Sequence, residues 1–319
     1  MCDLKISILD AGTLGDDIDF SMFNVFGSVN IYDKTKQEDI AGRIEDADVI
    51  IVNKIKLNEA NLDFADKLKL ICVTATGFDN IDIDYCRKRG IAVCNVKGYS
   101  TDSVAQVTMA MALSLINKLP QYDTYVKDLS YTGSGVQNCV SPVFHEMSRL
   151  TWGVVGLGNI GKRVAKLAKA FGCNVLAYKR TPDPEFECVT IEELCKEADI
   201  ISVHLPLSEE TYKLIDKQLI SKMKKTAIVI NVARGAVVDE TELVKAIQEE
   251  KIGGLGIDVY STEPMTQDSP YTQITDRNNV IFTPHMAWAA YESRVRCMEE
   301  IVKNIYSFFE GELCNRVDI

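Results

Sequence analysis

The chain has 319 residues, 46% of them hydrophobic and 25% charged, with a formal net charge of −11. That length and apolar content can bury a large core and fit two domains better than one, while the acidic balance disfavours a nucleic-acid partner or an anionic membrane surface. No apolar run approaches the roughly 18 residues of a membrane span, and Met1-Cys2-Asp3-Leu4-Lys5 leads into Ile6-Ser7-Ile8-Leu9 without a signal-peptide profile, so a soluble, cytoplasmic protein is expected.

Strand-like runs at residues 5–9, 48–52, 68–73 and 91–95 alternate with polar, helix-like segments at 37–45 and 83–88. This is the pattern of a small parallel α/β sheet. A helix is expected over 103–118, with Ser103 and Gln106 as its capping signal. Its body, Val104 to Ala112, is too apolar to face water; burial between domains, at a subunit interface or in ordinary core packing accounts for it equally well. Residues 128–148 lack pattern and read as an irregular connection or interface loop.

In mid-chain the apolar run Thr151-Trp152-Gly153-Val154-Val155 enters Gly156-Leu157-Gly158-Asn159-Ile160-Gly161, and residues 162–170 leave it with helical character. Strand, glycine turn and helix together form a dinucleotide-binding fingerprint: one glycine for the tight turn, one for close pyrophosphate approach, one for helix–sheet packing. The turn alone is a weak signal, shared by flavin, nicotinamide and methyl-donor enzymes. About 20 residues on, where an acidic residue holds the ribose of NAD, stand Lys179-Arg180-Thr181. Two cations and a hydroxyl suit the 2′-phosphate of NADP, so NADP(H) is expected; the alternative is NAD(H) with both cations merely solvated.

Further strands are expected at 174–178, 200–205, 226–232, 254–259 and 280–283, and Thr190 with Glu193 and Asp239 with Glu242 form capping-box pairs between them. A doubly wound sheet follows. Residues 288–311 read as one helix with Val295, Met298, Ile301, Ile305 and Phe308 on an apolar stripe. Ten cysteines without a C-x-x-C pair read as reduced thiols, and His145, His204 and His285 lie too far apart in sequence for a structural metal.

Taken together, Gly156-Leu157-Gly158-Asn159-Ile160-Gly161, His204-Leu205-Pro206-Leu207, Asn231-Val232-Ala233-Arg234-Gly235, Gly256-Ile257-Asp258-Val259-Tyr260 with Glu263-Pro264, and Thr283-Pro284-His285 resemble the D-isomer-specific 2-hydroxyacid dehydrogenases along essentially the whole chain. The resemblance implies an α/β fold of two domains: a Rossmann-type doubly wound parallel sheet, residues 99–287, inserted into a flavodoxin-like substrate domain, residues 1–98 completed by 288–319. It implies that Arg234, Glu263 and His285 are catalytic, and that the amides of Thr76-Gly77-Phe78 receive the substrate carboxylate. It further implies that Asn159, Ile160, His204, Leu205, Pro206, Thr211, Val232 and Ala233 line the cofactor and that Asp258 accepts from its carboxamide.

Each catalytic role has a physical reason beside an ordinary one. His285 follows a strand and a proline, at the end of a sheet where ligands bind, and imidazole can trade a proton near neutrality; a lone histidine is more often structural. Glu263, which the resemblance places as its partner, would stabilise imidazolium and fix the ring, although alone it passes for a surface carboxylate. Arg234 ends an apolar strand, and its fork can bind a carboxylate and polarise a carbonyl; its ordinary reading is a structural ion pair.

Gly98-Tyr99-Ser100-Thr101-Asp102-Ser103-Val104-Ala105-Gln106 and Pro284-His285-Met286-Ala287-Trp288-Ala289 look like the hydroxypyruvate reductase (glycerate dehydrogenase) branch. The expected reaction is therefore reduction of a small 2-oxoacid, hydroxypyruvate or glyoxylate, to the D-2-hydroxyacid, by a homodimer paired through the region between Tyr99 and Val140. Trp288 either narrows the pocket or anchors the last helix in the core. Bulkier 2-oxoacids such as phenylpyruvate, a non-enzymatic nucleotide-sensing corepressor, and a methyl-donor transferase sharing only the glycine turn are the alternatives.

Overall fold

A computed structural model describes residues 3–319; Met1 and Cys2 lie outside the described residues. The chain divides into two compact units, one running to Ser100 and joined by Ala289–Ile319, the other Thr101–Trp288. The divisions fall two residues and one residue after those expected at 98/99 and 287/288.

In the first unit five strands are described: β1 (Leu4–Ile8), β2 (Gly27–Ile31), β3 (Val49–Val52), β4 (Leu70–Val73) and β5 (Ala92–Cys94). All pair in parallel in the order β2-β1-β3-β4-β5. Every residue of β3 and β4 is buried, as expected for parallel strands covered on both faces, and that unbroken apolar content is what made them legible. The edge strand β2, Gly-Ser-Val-Asn-Ile, is mostly exposed and carries no such signal, so the sequence reading missed it.

The last helix, Tyr291–Phe309, belongs to this unit and packs on β4. It starts three residues later than expected. Its buried stripe is Ser293, Cys297, Met298, Ile301, Asn304 and Ile305, whereas Val295 and Phe308 are only partly buried.

In the second unit β6 (Thr151–Val155), β7 (Asn174–Tyr178), β8 (Glu187–Cys188), β9 (Ile200–Val203), β10 (Ile228–Asn231), β11 (Gly254–Ile257) and β12 (Val280–Phe282) form a parallel sheet. Its order is β12-β11-β10-β9-β6-β7-β8, so strand order reverses between β6 and β9, where doubly wound sheets bind ligands. The helix expected at 103–118 spans Thr101–Ile116. Ser103 is not its cap: it lies inside the helix, buried, and its hydroxyl donates to the Ala287 carbonyl at 2.5 Å. Val104, Ala105, Met109, Met111, Ala112, Leu115 and Ile116 join this unit's own core, and the helix packs on β10, β11 and β12; ordinary core packing explains its apolarity. Residues 128–148 are not wholly irregular, since Ser130–Ser134 is helical, and the unpredicted helix Leu119–Lys127 precedes them.

Candidate active site

The register of the second sheet aligns Tyr178, Val155, Val203, Asn231, Ile257 and Phe282 across six adjacent strands. The residues after β6, β9, β11 and β12 continue the ladder: Gly156 donates to Tyr178 O (3.0 Å), His204 to Val155 O (2.8 Å), Asp258 to Asn231 O (3.0 Å) and Thr283 to Ile257 O (2.9 Å). One rim therefore gathers the glycine turn, His204, the Val232–Arg234 loop, Asp258 and His285, residues spread over 130 positions of sequence.

Three glycines of the turn do three jobs. Gly156 sits at φ 99, a conformation costly for any side chain, and a Cβ there would meet the His204 carbonyl carbon at 2.9 Å. A Cβ on Gly161 would lie 2.0 Å from the Gly156 carbonyl oxygen, so this glycine lets helix Asn159–Ala170 close onto the turn. At Gly158 a Cβ would meet nothing within 4 Å, and Gly158 caps the helix without a side chain on its first amides. Open space before helix amides that no N-cap side chain occupies fits a pyrophosphate.

At the other end of the rim, His285 Nδ1 lies 2.6 Å from Glu263 Oε2. A carboxylate only accepts, so Nδ1 carries the hydrogen and Nε2 is the nitrogen available for proton exchange. His285 occupies the left-handed region at φ 52, strained for a non-glycine residue. Asp258 maintains it. The buried carboxylate accepts from Thr283 Oγ1 (2.6 Å), Met286 N (2.9 Å) and Ala287 N (3.0 Å), and its backbone carbonyl accepts from His285 N (2.8 Å). The partner expected for Asp258 was a carboxamide; here its oxygens are largely committed to the histidine turn.

Glu263 is held in turn. Its Oε1 accepts from Tyr260 N (3.1 Å), while the Tyr260 hydroxyl, pushed up to about 12 chiefly by burial, donates to Thr283 O (3.0 Å). Arg234 follows β10 on a loop closed by buried Asn231: Nδ2 donates to Arg234 O (2.9 Å) and Oδ1 accepts from Ala233 N (3.1 Å). A Cβ on Gly235 would stand 2.0 Å from the Tyr260 carbonyl carbon, so the arginine and glutamate loops are in backbone contact. The sequence reading gave Asn231 no role; an amide ending the apolar run Ile228–Asn231 was the available signal.

His204 is a different kind of histidine. Both ring nitrogens are shut away from solvent with no hydrogen-bond partner among the described residues, and burial pushes the imidazole down to about 3, so it is neutral at any physiological pH. Leu205 packs on the core, and Pro206 is exposed. The Thr211 hydroxyl is spent inside its own loop, donating to Pro206 O and accepting from Ser208 N, both at 2.7 Å.

The two cations after β7 are paired with carboxylates. Lys179 Nζ lies 3.3 Å from Asp183 Oδ2, and Arg180 pairs at 3.3 Å with Glu210, both partners well exposed. Lys162, in the helix after the glycine turn, pairs with the same Asp183 oxygen at 2.7 Å; this ion pair first, and Lys179 less, pulls Asp183 down to about 2. Lys162 was not among the expected contacts.

In the first unit, Thr76, Gly77 and Phe78 form the loop after β4. Thr76 Oγ1 donates to Val96 O (2.8 Å), Asn95 Nδ2 donates to Thr76 O (2.7 Å), and Phe78 packs on that unit's core.

A doubly wound sheet, a glycine turn fitted to pyrophosphate and a carboxylate-paired histidine on one rim define a nicotinamide-nucleotide oxidoreductase. Residues 109–287 match the family described as D-isomer specific 2-hydroxyacid dehydrogenase, NAD binding domain. The chain is 32% identical to a hydroxypyruvate reductase of Blautia hydrogenotrophica, covering 99% of this chain and 100% of that protein. It is 38% identical to a glyoxylate reductase of Thermococcus litoralis over 81% and 79% of the two chains. Among solved structures, a D-lactate dehydrogenase of Aquifex aeolicus complexed with NAD and lactic acid superposes with a TM-score of 0.86 at 35% identity, covering 99% of each chain. The chain belongs to the D-isomer-specific 2-hydroxyacid dehydrogenase family. It is an enzyme that acts on CH–OH donors with a pyridine nucleotide, interconverting 2-oxoacids and 2-hydroxyacids.

Proposed function

We propose that the enzyme reduces hydroxypyruvate to its D-2-hydroxyacid, D-glycerate, or glyoxylate to the achiral 2-hydroxyacid glycolate, with NADPH as the favoured reductant. The observation that carries the chemistry is the 2.6 Å contact between His285 and Glu263 on the same rim as the glycine turn. A bound nicotinamide nucleotide supplies the hydride. His285 gives the proton from Nε2 to the carbonyl oxygen, so that C=O becomes CH–OH, and Glu263 stabilises the charged ring on its Nδ1 side. Arg234 orients the carboxylate and polarises the carbonyl, and the Thr76–Phe78 amides are carboxylate receivers.

The NADPH preference is supported by three cations, Lys162, Lys179 and Arg180, grouped where the chain leaves the glycine turn and β7; a 2′-phosphate takes over ion pairs that are now made to Asp183 and Glu210. Substrate size rests on the likeness to relatives that act on hydroxypyruvate and glyoxylate, because Trp288 packs on the second unit's core as an anchor would. Val126, Leu129, Val136, Val140, Val143 and Phe144 are all more than half exposed within one short stretch, and such concentrated apolar exposure supports homodimerisation there.

A spectrophotometric panel of 2-oxoacids run with NADH and NADPH tests the reading. The highest kcat/KM is expected for hydroxypyruvate or glyoxylate with NADPH; a preference for phenylpyruvate, or for NADH, overturns that part, and binding without turnover of any 2-oxoacid favours the corepressor alternative.

A further inference from the structure

The Thr76–Gly77–Phe78 loop can read a carboxylate only if its amides face outward, and the backbone alone does not settle that. We propose that Asn95 is the positioning residue that turns them, acting through the carbonyl of Thr76. This rests on the reading above that the loop receives the substrate carboxylate.

The Thr76–Gly77 peptide bond is trans, so the Thr76 carbonyl and the Gly77 N–H point in opposite directions. Asn95 Nδ2 holds that carbonyl at 2.7 Å. With the oxygen drawn toward a residue only 1% exposed, the Gly77 N–H is aimed away from the interior. The neighbouring groups prevent the peptide from rotating back: Thr76 Oγ1 donates to Val96 O, and Val96 N donates to Ala75 O at 3.0 Å.

Asn95 is itself fixed by the end of the chain. Its N–H donates to Asn315 O (3.2 Å), and its carbonyl accepts from Nδ2 of Asn304, a fully buried residue of the last helix (3.0 Å). Asn304 Oδ1 accepts from Asn315 Nδ2 (2.9 Å). Asn95 Oδ1, by contrast, is buried with no partner among the described residues. A buried amide oxygen left unsatisfied is costly, and the side chain keeps this orientation because its donor end is engaged. The Asn315–Asn304–Asn95–Thr76 relay therefore carries the C-terminal segment's position to the loop.

The test uses Asn95→Ala, Asn95→Asp and Gly77→Pro in the full-length enzyme. Loss of an oriented donor to an anion should raise the 2-oxoacid KM about tenfold or more in Asn95→Ala, with NADPH KM and kcat changed less than about twofold. Asn95→Asp supplies a signature that general loosening does not: a protonated carboxyl can still donate to Thr76 O, and an ionised one repels it. The ratio of its 2-oxoacid KM to wild type should be near one at low pH and rise with pH. If Asn95→Ala does not fold, this pH-dependent ratio carries the test alone. A folded Asn95 variant with unchanged 2-oxoacid KM, or with both KM values raised together at every pH, overturns the proposal. Gly77→Pro removes the amide itself; if it raises the 2-oxoacid KM while the Asn95 variants do not, Asn95 has no positioning role and the loop reading stands. An unchanged KM in Gly77→Pro overturns the loop reading, and the proposal with it.

Discussion

His204 and His285 end strands of one parallel sheet, on one rim, and carry the same side chain, yet their surroundings make them opposites. His285 has a carboxylate at 2.6 Å, a backbone held at φ 52 and a partly exposed ring. His204 has no partner on either nitrogen among the described residues and is pushed down to about 3 by burial. A proton donor must hold its charge and reach water or substrate. A position at a strand end does not by itself equip a histidine to act as an acid; a second group is needed, and at His285 a carboxylate arrives from a loop 22 residues upstream.

That contrast can be broken from either side. His285→Ala should reduce kcat by roughly 10²–10⁴ while NADPH binding is retained, and near-normal turnover would remove it from the role. Arg234→Lys should lower kcat/KM by about 10²-fold, since a point charge does not reproduce the fork; steady-state kinetics with the preferred 2-oxoacid would show it, and an effect under twofold would reduce Arg234 to an ion pair. Glu263→Gln makes His285 more like His204, and kcat should drop by about 10- to 100-fold. Lys179→Ala should raise the NADPH KM about tenfold and leave that for NADH within about twofold; equal changes in both would mean that the lysine serves only Asp183.

The smallest effect lies with His204. Its folded-state value is depressed, so the unfolded chain binds a proton that the native state refuses between about pH 6.5 and the folded value near 3. The sign follows: this group costs no stability above about pH 6.5 and destabilises the fold progressively as pH falls below it, by about 1 kcal/mol per pH unit. In denaturant titrations between pH 7 and pH 5, His204→Asn should show a shallower acid loss than wild type. Identical slopes would contradict the burial.

Much of this was legible in the chain because its signals are local. The glycine turn, the apolar strands β3 and β4, the largely apolar β9, and the caps at Thr190 and Asp239, whose side chains accept from Glu193 N and Glu242 N, are written in neighbouring residues. Edge strand β2 and helix Leu119–Lys127 carry mixed polarity and gave no such pattern. The supports of the site are harder to read, since each is a polar group whose partner is set by folding. Asp258 stands 28 and 29 residues from the amides it fixes, and Asn95 is 209 residues from Asn304. Asn231 and Asn95 did leave one mark in common, an amide closing an apolar strand, which tells that a loop is tied down without telling which one.

The most direct measurement is chemical rescue of His285→Ala, following NADPH oxidation with the preferred 2-oxoacid as imidazole is added. If His285 with Glu263 behind it supplies the proton, the variant is nearly inactive alone and its turnover rises with imidazole concentration. Turnover close to wild type before any imidazole is added would contradict it and assign the proton to another group.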